Sequence, residues 1–196
     1  MMKNNKKIVA IVMASGLSKR MGTDKLLLPF RKKLLFQHIL DTLGTLPFEE
    51  ILIVTTQDKI AEYAEKKDMK VLFNENAHKG QSASIIIGLE NAQKADGYMF
   101  FVADQPFLKR ETIQNLMNVF VENCEKIVLP FFRGIKGNPV IFPHRVKKDL
   151  MNITGAHGGS VVIKKEWENA VKIDFDNELE GLDIDTMENY NKYKEN

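Results

Sequence analysis

Ile8-Val9-Ala10-Ile11-Val12-Met13-Ala14 runs directly into Ser15-Gly16-Leu17-Ser18-Lys19-Arg20-Met21-Gly22-Thr23-Asp24-Lys25. The first half is an unbroken apolar run with β-branched residues, the pattern of a strand buried on both faces. The second half switches to small residues, two glycines and three cations, Lys19, Arg20 and Lys25. Small residues let a backbone approach a ligand and aim its N–H groups at it. Arginine and lysine in the same turn add charge-assisted bonds to phosphate oxygens. The stretch therefore points to a strand followed by a loop that holds the triphosphate of a nucleotide. It is not a P-loop: five residues separate Gly16 from Gly22, and Thr23-Asp24 precedes Lys25. Nor does it carry the G-x-G-x-x-G of dinucleotide-binding folds. The plain alternative is a strand-to-helix turn with a solvated basic face.

The wording of the loop is more specific than its composition. Met13-Ala14-Ser15-Gly16-Leu17-Ser18-x-Arg20-Met21-Gly22-x-x-Lys25 resembles the L-x-A-G-x-S-x-R-M-G-x-x-K signature of nucleotidyltransferases acting on molybdenum cofactor and on sugar phosphates. It is most similar to the molybdenum cofactor cytidylyltransferases. Those read Ala-Ala-Gly-Leu-Ser where this chain has Ala14-Ser15-Gly16-Leu17-Ser18. The guanylyltransferase relatives tend to carry a further glycine, and Ser15 departs from that pattern.

The bulk composition bounds the rest. A chain of 196 residues, 44% hydrophobic and 28% charged, suits one soluble domain spanning residues 1–196. A net charge of +2 gives no broad pull toward nucleic acid or a membrane surface, so any polyanion site must be local. The single cysteine, Cys124, permits no intrachain disulfide and favours a reducing compartment. The apolar run after Lys7 is too short for a signal sequence or a membrane span, so a cytoplasmic enzyme is expected.

Further along, apolar strands alternate with helical patterns and no repeat or linker intervenes. Helices are expected at Leu34–Leu43, Asp58–Lys67, Gln81–Ala95, Glu111–Val121, Val146–Met151 and Ser160–Glu168. A last helix is expected at the C-terminal end. Strands are expected at Ile51–Thr55, Val71–Phe73, Tyr98–Ala103, Lys126–Pro130 and Val171–Phe175, with two more around the glycines between Phe131 and Phe142. This alternation predicts a three-layer α/β fold, a mainly parallel, Rossmann-like sheet with helices on both faces. Ligands in such folds bind beyond the carboxyl ends of the strands. The suggestive segments Ala14–Lys25, Gly80–Ser84 and Asp104–Pro106 each follow or adjoin such an end.

Asp104, in Val102-Ala103-Asp104-Gln105-Pro106, is placed either to hold Mg²⁺ in that cleft or to brace its own turn. In Leu182-Asp183-Ile184-Asp185-Thr186, a strand would put Asp183 and Asp185 on one face; Asp185 or Thr186 also suits a helix N-cap. Gly80-Gln81-Ser82 suits polar recognition at a helix start, with Ser82 a candidate N-cap, and Asn74 a weaker candidate for the same pocket. The four histidines lack zinc spacing.

The resemblance extends from Ile8 to about Tyr190 and implies roles for these positions. Asp104 matches the family's Asp-x-Pro, whose Asp is a metal ligand. Asp185 is implied as the second ligand from a partial match to Asp-x-Asp-Thr-Pro-Glu-Asp; here Met187 and Asn189 replace the proline and final acid. Gly80, Gln81 and Ser82 match Gly-x-Ser-x-Ser near the nucleotide base. Gly137, Asn138 and Pro139 match Gly-x-Pro-x-x-Phe at the acceptor pocket. Around Gly155-Ala156-His157-Gly158-Gly159-Ser160, Ala156 and Ser160 stand where the cytidylyltransferases carry Asp and Arg.

The implied activity is Mg²⁺-dependent transfer of a nucleoside monophosphate, CMP from CTP, to a phosphate-bearing acceptor such as molybdenum cofactor. Arg20, Lys25 and Asp104 would be the catalytic residues, with Met13, Ala14, Ser15 and Gly16 also contacting the nucleotide. A molybdoenzyme would receive the product. Two alternatives remain open: a sugar- or alditol-phosphate nucleotidyltransferase, and a non-catalytic molybdenum cofactor chaperone.

Overall fold

The structure is a computed structural model that describes residues 6–16, 21–155 and 158–195. Its centre is an eight-stranded sheet. In chain order the elements are β1 (Ile8–Ala14), the short β2 (Pro29–Phe30) and β3 (Lys33–Leu34), α1 (Leu35–Leu43), β4 (Glu50–Thr55), α2 (Asp58–Glu65) and β5 (Lys70–Phe73). They continue with α3 (Gln81–Asn91), β6 (Gly97–Val102), α4 (Arg110–Glu122), β7 (Val128–Phe132), β8 (Ile135–Lys136), β9 (Val140–Pro143) and α5 (Lys147–Met151). The last are α6 (Ser160–Lys165), β10 (Val171–Phe175) and α7 (Met187–Tyr193). Strand order is β10-β7-β9-β6-β1-β4-β5, with β8 paired to β7 and a separate β2–β3 ribbon.

Pairing is parallel from β6 through β1 and β4 to β5, and again between β10 and β7. Two strands run against it: β9, antiparallel to both β6 and β7, and the short β8, antiparallel to β7. The apolar alternation expected of a two-faced strand is realised in β1. Ile8, Ala10, Val12 and Ala14 join one core, with α1, α2 and α4; Val9 and Ile11 join the other, with α3, α5 and α6. The three-layer expectation therefore holds. Among the described residues no helix is long and apolar enough to cross a membrane.

Several expected boundaries move. The helix from Gln81 stops at Asn91, not Ala95, and within it Gly88 is buried where Ile86 is only half-buried. A Cβ on Gly88 would lie 2.6 Å from Cγ2 of Ile11, so the absent side chain lets α3 settle directly on β1. The helix from Ser160 breaks after Lys165, and Trp167–Asn169 form a separate 3-10 turn. The segment expected as a strand at 182–186 is extended but joins no sheet. Between β7 and β8 the chain reverses through Arg133 (φ 48°) and Gly134 (φ 79°), the positive dihedrals that suit a two-residue hairpin turn.

A polar cluster braces the far end of α1. Asp41 accepts hydrogen bonds from Lys33, from Lys67 at 2.8 Å and from the Tyr63 hydroxyl at 2.7 Å. Burial alone would raise its pKa, but these donors outweigh burial and hold it at about 2. A carboxylate whose folded pKa is depressed stabilises fully above its unfolded value near 4, and the gain is lost as pH falls toward 2. Asp41→Asn is therefore expected to cost about 1 kcal/mol at pH 7, or roughly 2–4 °C in Tm. Melting curves of the two proteins should converge as pH approaches 2.

Candidate functional site

β1 and β6 are neighbours, with Met13 in register with Val102, so the turns that follow them open at the same edge of the sheet. Ala14 and Ser15 are buried, and the Ser15 hydroxyl donates to the Val54 carbonyl at 3.0 Å. Thr55 returns a bond to the Ala14 carbonyl at 3.3 Å. These bonds pin the start of the turn to β4. Gly16 is exposed, and a Cβ there would meet nothing within 4 Å. Gly22 has φ +66°, a conformation that side chains rarely adopt. Arg20 lies outside the described residues, as do Leu17, Ser18 and Lys19.

Lys25 begins a 3-10 turn, Lys25–Leu27, that Asp24 caps by accepting the Leu26 N–H at 3.2 Å. Leu26 is buried, which anchors the turn, and the lysine side chain is only 11% exposed. Its ammonium bonds both Asp104 Oδ2 and Asp185 Oδ1. Burial alone would lower its pKa, but the adjoining carboxylates outweigh that and raise it. The two acidic segments are themselves joined, because Ile184 donates its N–H to the Asp104 carbonyl at 3.0 Å. Ile184 is fully buried in the core, so Asp183 and Asp185 face away from it. The alternation expected of a strand survives here in extended chain without a sheet partner.

Asp183 belongs to the same acidic group. Burial, and then the charges of Asp104 and Asp185, push its carboxyl up to about 7. One oxygen each of Asp104 and Asp183 is buried without a hydrogen-bond partner. Hard carboxylate oxygens left unsatisfied beside the glycine turn suit a hard cation such as Mg²⁺ or Mn²⁺. Among the described residues no three His, Cys, Asp or Glu side chains form a ready cage. Magnesium takes one or two carboxylates and completes its shell with water and phosphate. The donor set therefore fits the expected metal.

Behind the acids, Glu180 is 5% exposed and accepts from Thr112 Oγ1 at 2.5 Å and from the Lys109 N–H at 3.2 Å. This locks the segment before Asp183 onto the start of α4. Gln105 donates to the Gly181 carbonyl at 3.3 Å. Neither residue was singled out in the sequence. Gln105 occupies the variable position of Asp-x-Pro, and Glu180 sits in an ordinary acidic run.

The other expected residues divide. Met13, Gln81, Gly137 and Asn138 line one cavity of about 160 Å³, with Ser160 and Lys136. Pro139 does not line it, although it follows Asn138 through a cis bond. Ser82 is buried, and Gly80 (φ 92°) is the residue at the N-cap of α3, so Ser82 is not the cap. Asn74 is buried and donates to Ser84 at 3.0 Å, bracing α3 from within. Thr186 is the N-cap of α7, accepting the Asn189 N–H at 3.2 Å, which leaves Asp185 for Lys25. Ala156 lies outside the described residues.

The family model described as "MobA-like NTP transferase domain" matches residues 10–171, most of the chain. The chain belongs to that family. The MobA-like match takes in the glycine turn, Lys25, Asp104 and the Gly137–Pro139 segment, and ends before Asp183 and Asp185. A protein of Natranaerobius thermophilus named "Probable molybdenum cofactor guanylyltransferase" is 27% identical over 65% of this chain. The chain spans 62% of that relative's length. One of the same name from Geobacillus sp. (strain WCH70) is 26% identical over 76% of this chain and 77% of its own. The MobA-like chain also superposes on the crystal structure of Rv0371C in complex with manganese, from Mycobacterium tuberculosis H37Rv. That match has a TM-score of 0.76 at 21% identity and covers 96% of this chain and 98% of the other. It bears on the fold, which is that of the nucleotidyltransferases with a mixed, mostly parallel sheet.

Proposed function

We propose that this MobA-like protein transfers a nucleoside monophosphate from a nucleoside triphosphate to the phosphate of a molybdopterin-type acceptor. The observation that carries the reading is the convergence of Lys25, Asp104 and Asp185 beside an open glycine turn. They come from three separate parts of the chain.

In this reading an acceptor phosphate oxygen attacks the α-phosphorus in line. A new P–O bond forms as the α–β bridging P–O bond breaks, and the electron pair leaves with pyrophosphate. Backbone N–H groups of Ser15 and Gly16 bind the triphosphate, and Arg20 and Lys25 hold its β- and γ-phosphates. Asp104 and Asp185 hold the cation, with Asp183 beside them. A bound Mg²⁺ supplies charge neutralisation at the reacting phosphates. The protein's own work is positioning and charge stabilisation rather than covalent catalysis. The cavity lined by Gly137, Asn138 and Gln81 sits where the acceptor would adjoin the nucleotide base.

The manganese in the superposed Rv0371C structure supports a divalent cation in this fold. For the base, the loop signature favours CTP, whereas the names of the two relatives favour GTP. A panel of four nucleoside triphosphates with Mg²⁺ and purified molybdenum cofactor separates them. The expected result is pyrophosphate release with GTP or CTP and a cofactor heavier by that nucleoside monophosphate. Tight cofactor binding with no pyrophosphate from any triphosphate would replace the enzyme with a carrier.

Lys25→Ala tests the phosphate contact. A charge-assisted bond contributes about 1.5–3 kcal/mol, so kcat/KM should fall roughly 10- to 100-fold. Steady-state kinetics with saturating acceptor reads this directly.

A further inference from the structure

Lys25 has been given a role on the substrate's phosphates, yet in the ligand-free protein its ammonium is on the two acids. It takes one oxygen from Asp104 and one from Asp185, and those side chains are only 14% and 30% exposed. Two neighbouring carboxylates repel one another more strongly when a cation between them leaves. The ammonium is a compact point charge on a flexible four-carbon stem with rotatable donors. Its backbone is fixed by the buried Leu26, while Gly22 and the glycine turn lie just before it. The same side chain could turn from the acids toward a triphosphate lying on the turn, and while it bridges both acids it occupies the oxygens a metal would use.

We propose that Lys25 occupies the cation position in the nucleotide-free protein, so that a divalent cation using Asp104 and Asp185 enters only when a triphosphate draws the lysine away. The inference rests on the reading that these two carboxylates hold the metal. Metal alone must break a mostly buried ion pair, which is costly. Metal arriving with a triphosphate meets no such penalty, because the phosphates become the lysine's new partner. Cation and nucleotide then bind with positive coupling, and each strengthens the other by the same factor. The lysine also keeps the paired acids from repelling one another while the site waits.

The test is Mn²⁺ binding without nucleotide, followed by water-proton relaxation, in wild type, Lys25→Met and Lys25→Gln. Two neutral replacements guard against one of them failing to fold, which circular dichroism checks. The expected result is Mn²⁺ affinity at least about 10-fold tighter in the variants, the scale of one charge-assisted bond removed. Mn²⁺ alone should also raise Tm in the variants and leave wild type unchanged. Adding Asp104→Asn to Lys25→Met should abolish the gain. If wild type binds Mn²⁺ alone as tightly as the folded variants, the proposal is overturned. The cation would then use the buried oxygens of Asp104 and Asp183 that Lys25 leaves untouched. Pyrophosphate release by wild type without any gain in the variants sinks the lysine proposal and leaves the transferase standing. A gain in the variants with no pyrophosphate from any triphosphate does the reverse.

Discussion

Asp104→Asn is expected to lower Mg²⁺-dependent turnover about 10³-fold or more while leaving the protein folded. The carboxylate lies just beyond β6, with its side chain 14% exposed and one oxygen already on Lys25. The other oxygen is buried and unsatisfied. Asparagine keeps the shape but removes the charge and one hard oxygen ligand. A metal at reacting phosphates contributes several kcal/mol of transition-state stabilisation, and each 1.36 kcal/mol is a factor of about ten. The fold should tolerate the change, because Asp185 still pairs with Lys25 and the backbone bond from Ile184 to the Asp104 carbonyl is untouched. Pyrophosphate release read beside a melting curve separates lost chemistry from lost structure. Near-normal turnover in Asp104→Asn would remove Asp104 from the metal site.

The second large effect is on stability. Gly88→Val should destabilise the protein by about 3 kcal/mol, lowering Tm by roughly 6–12 °C. The first added atom would sit 2.6 Å from Ile11 Cγ2, and the δ-carbon of the same isoleucine lies at 3.3 Å. Ile11 is fully buried in β1, which pairs with β4 on one side and β6 on the other. It has no free direction in which to move. Valine's branches add to the collision, and the gain in helix propensity over glycine is under about 1 kcal/mol. Because β1 leads into the glycine turn proposed to bind the triphosphate, the displaced helix should also weaken nucleotide binding. Urea or thermal unfolding measures the first effect, and a stability unchanged within about 0.5 kcal/mol would contradict the packing account.

Much of the fold was legible because burial on both faces leaves a plain trace. β1, β4 and β6 are apolar runs, and each begins or ends within a few residues of where those runs do. The role of β9 was not legible. Val140–Pro143 reads as the return arm of a hairpin, but it crosses to lie between β6 and β7, and such a choice of neighbour leaves no local periodicity. Gly88 was hidden for a related reason, since a missing side chain says nothing about what fills its space.

The candidate site divides in the same manner. Asp104 and Lys25 stood out as candidates because each follows a strand end in a loop of small or turn-forming residues, and the family resemblance gave Asp104 its metal role. That they would touch one another depended on a turn and an extended segment far apart in the chain. Asp183 was marked only as a neighbour of Asp185, and its burial follows from Glu180 and Gln105 pulling the segment inward. Those two residues have no motif of their own, because their work is to hold backbone.

One cation and one triphosphate should meet between the glycine turn and the two acids. The most direct measurement is a crystal structure with Mn²⁺ and an α,β-methylene nucleoside triphosphate, with the metal located by its anomalous scattering. The predicted result places manganese on Asp104 and Asp185, phosphates on the Ser15-Gly16 backbone, and Lys25 shifted from the acids to those phosphates. Manganese bound elsewhere, or a triphosphate on another face with Lys25 still between Asp104 and Asp185, would contradict it.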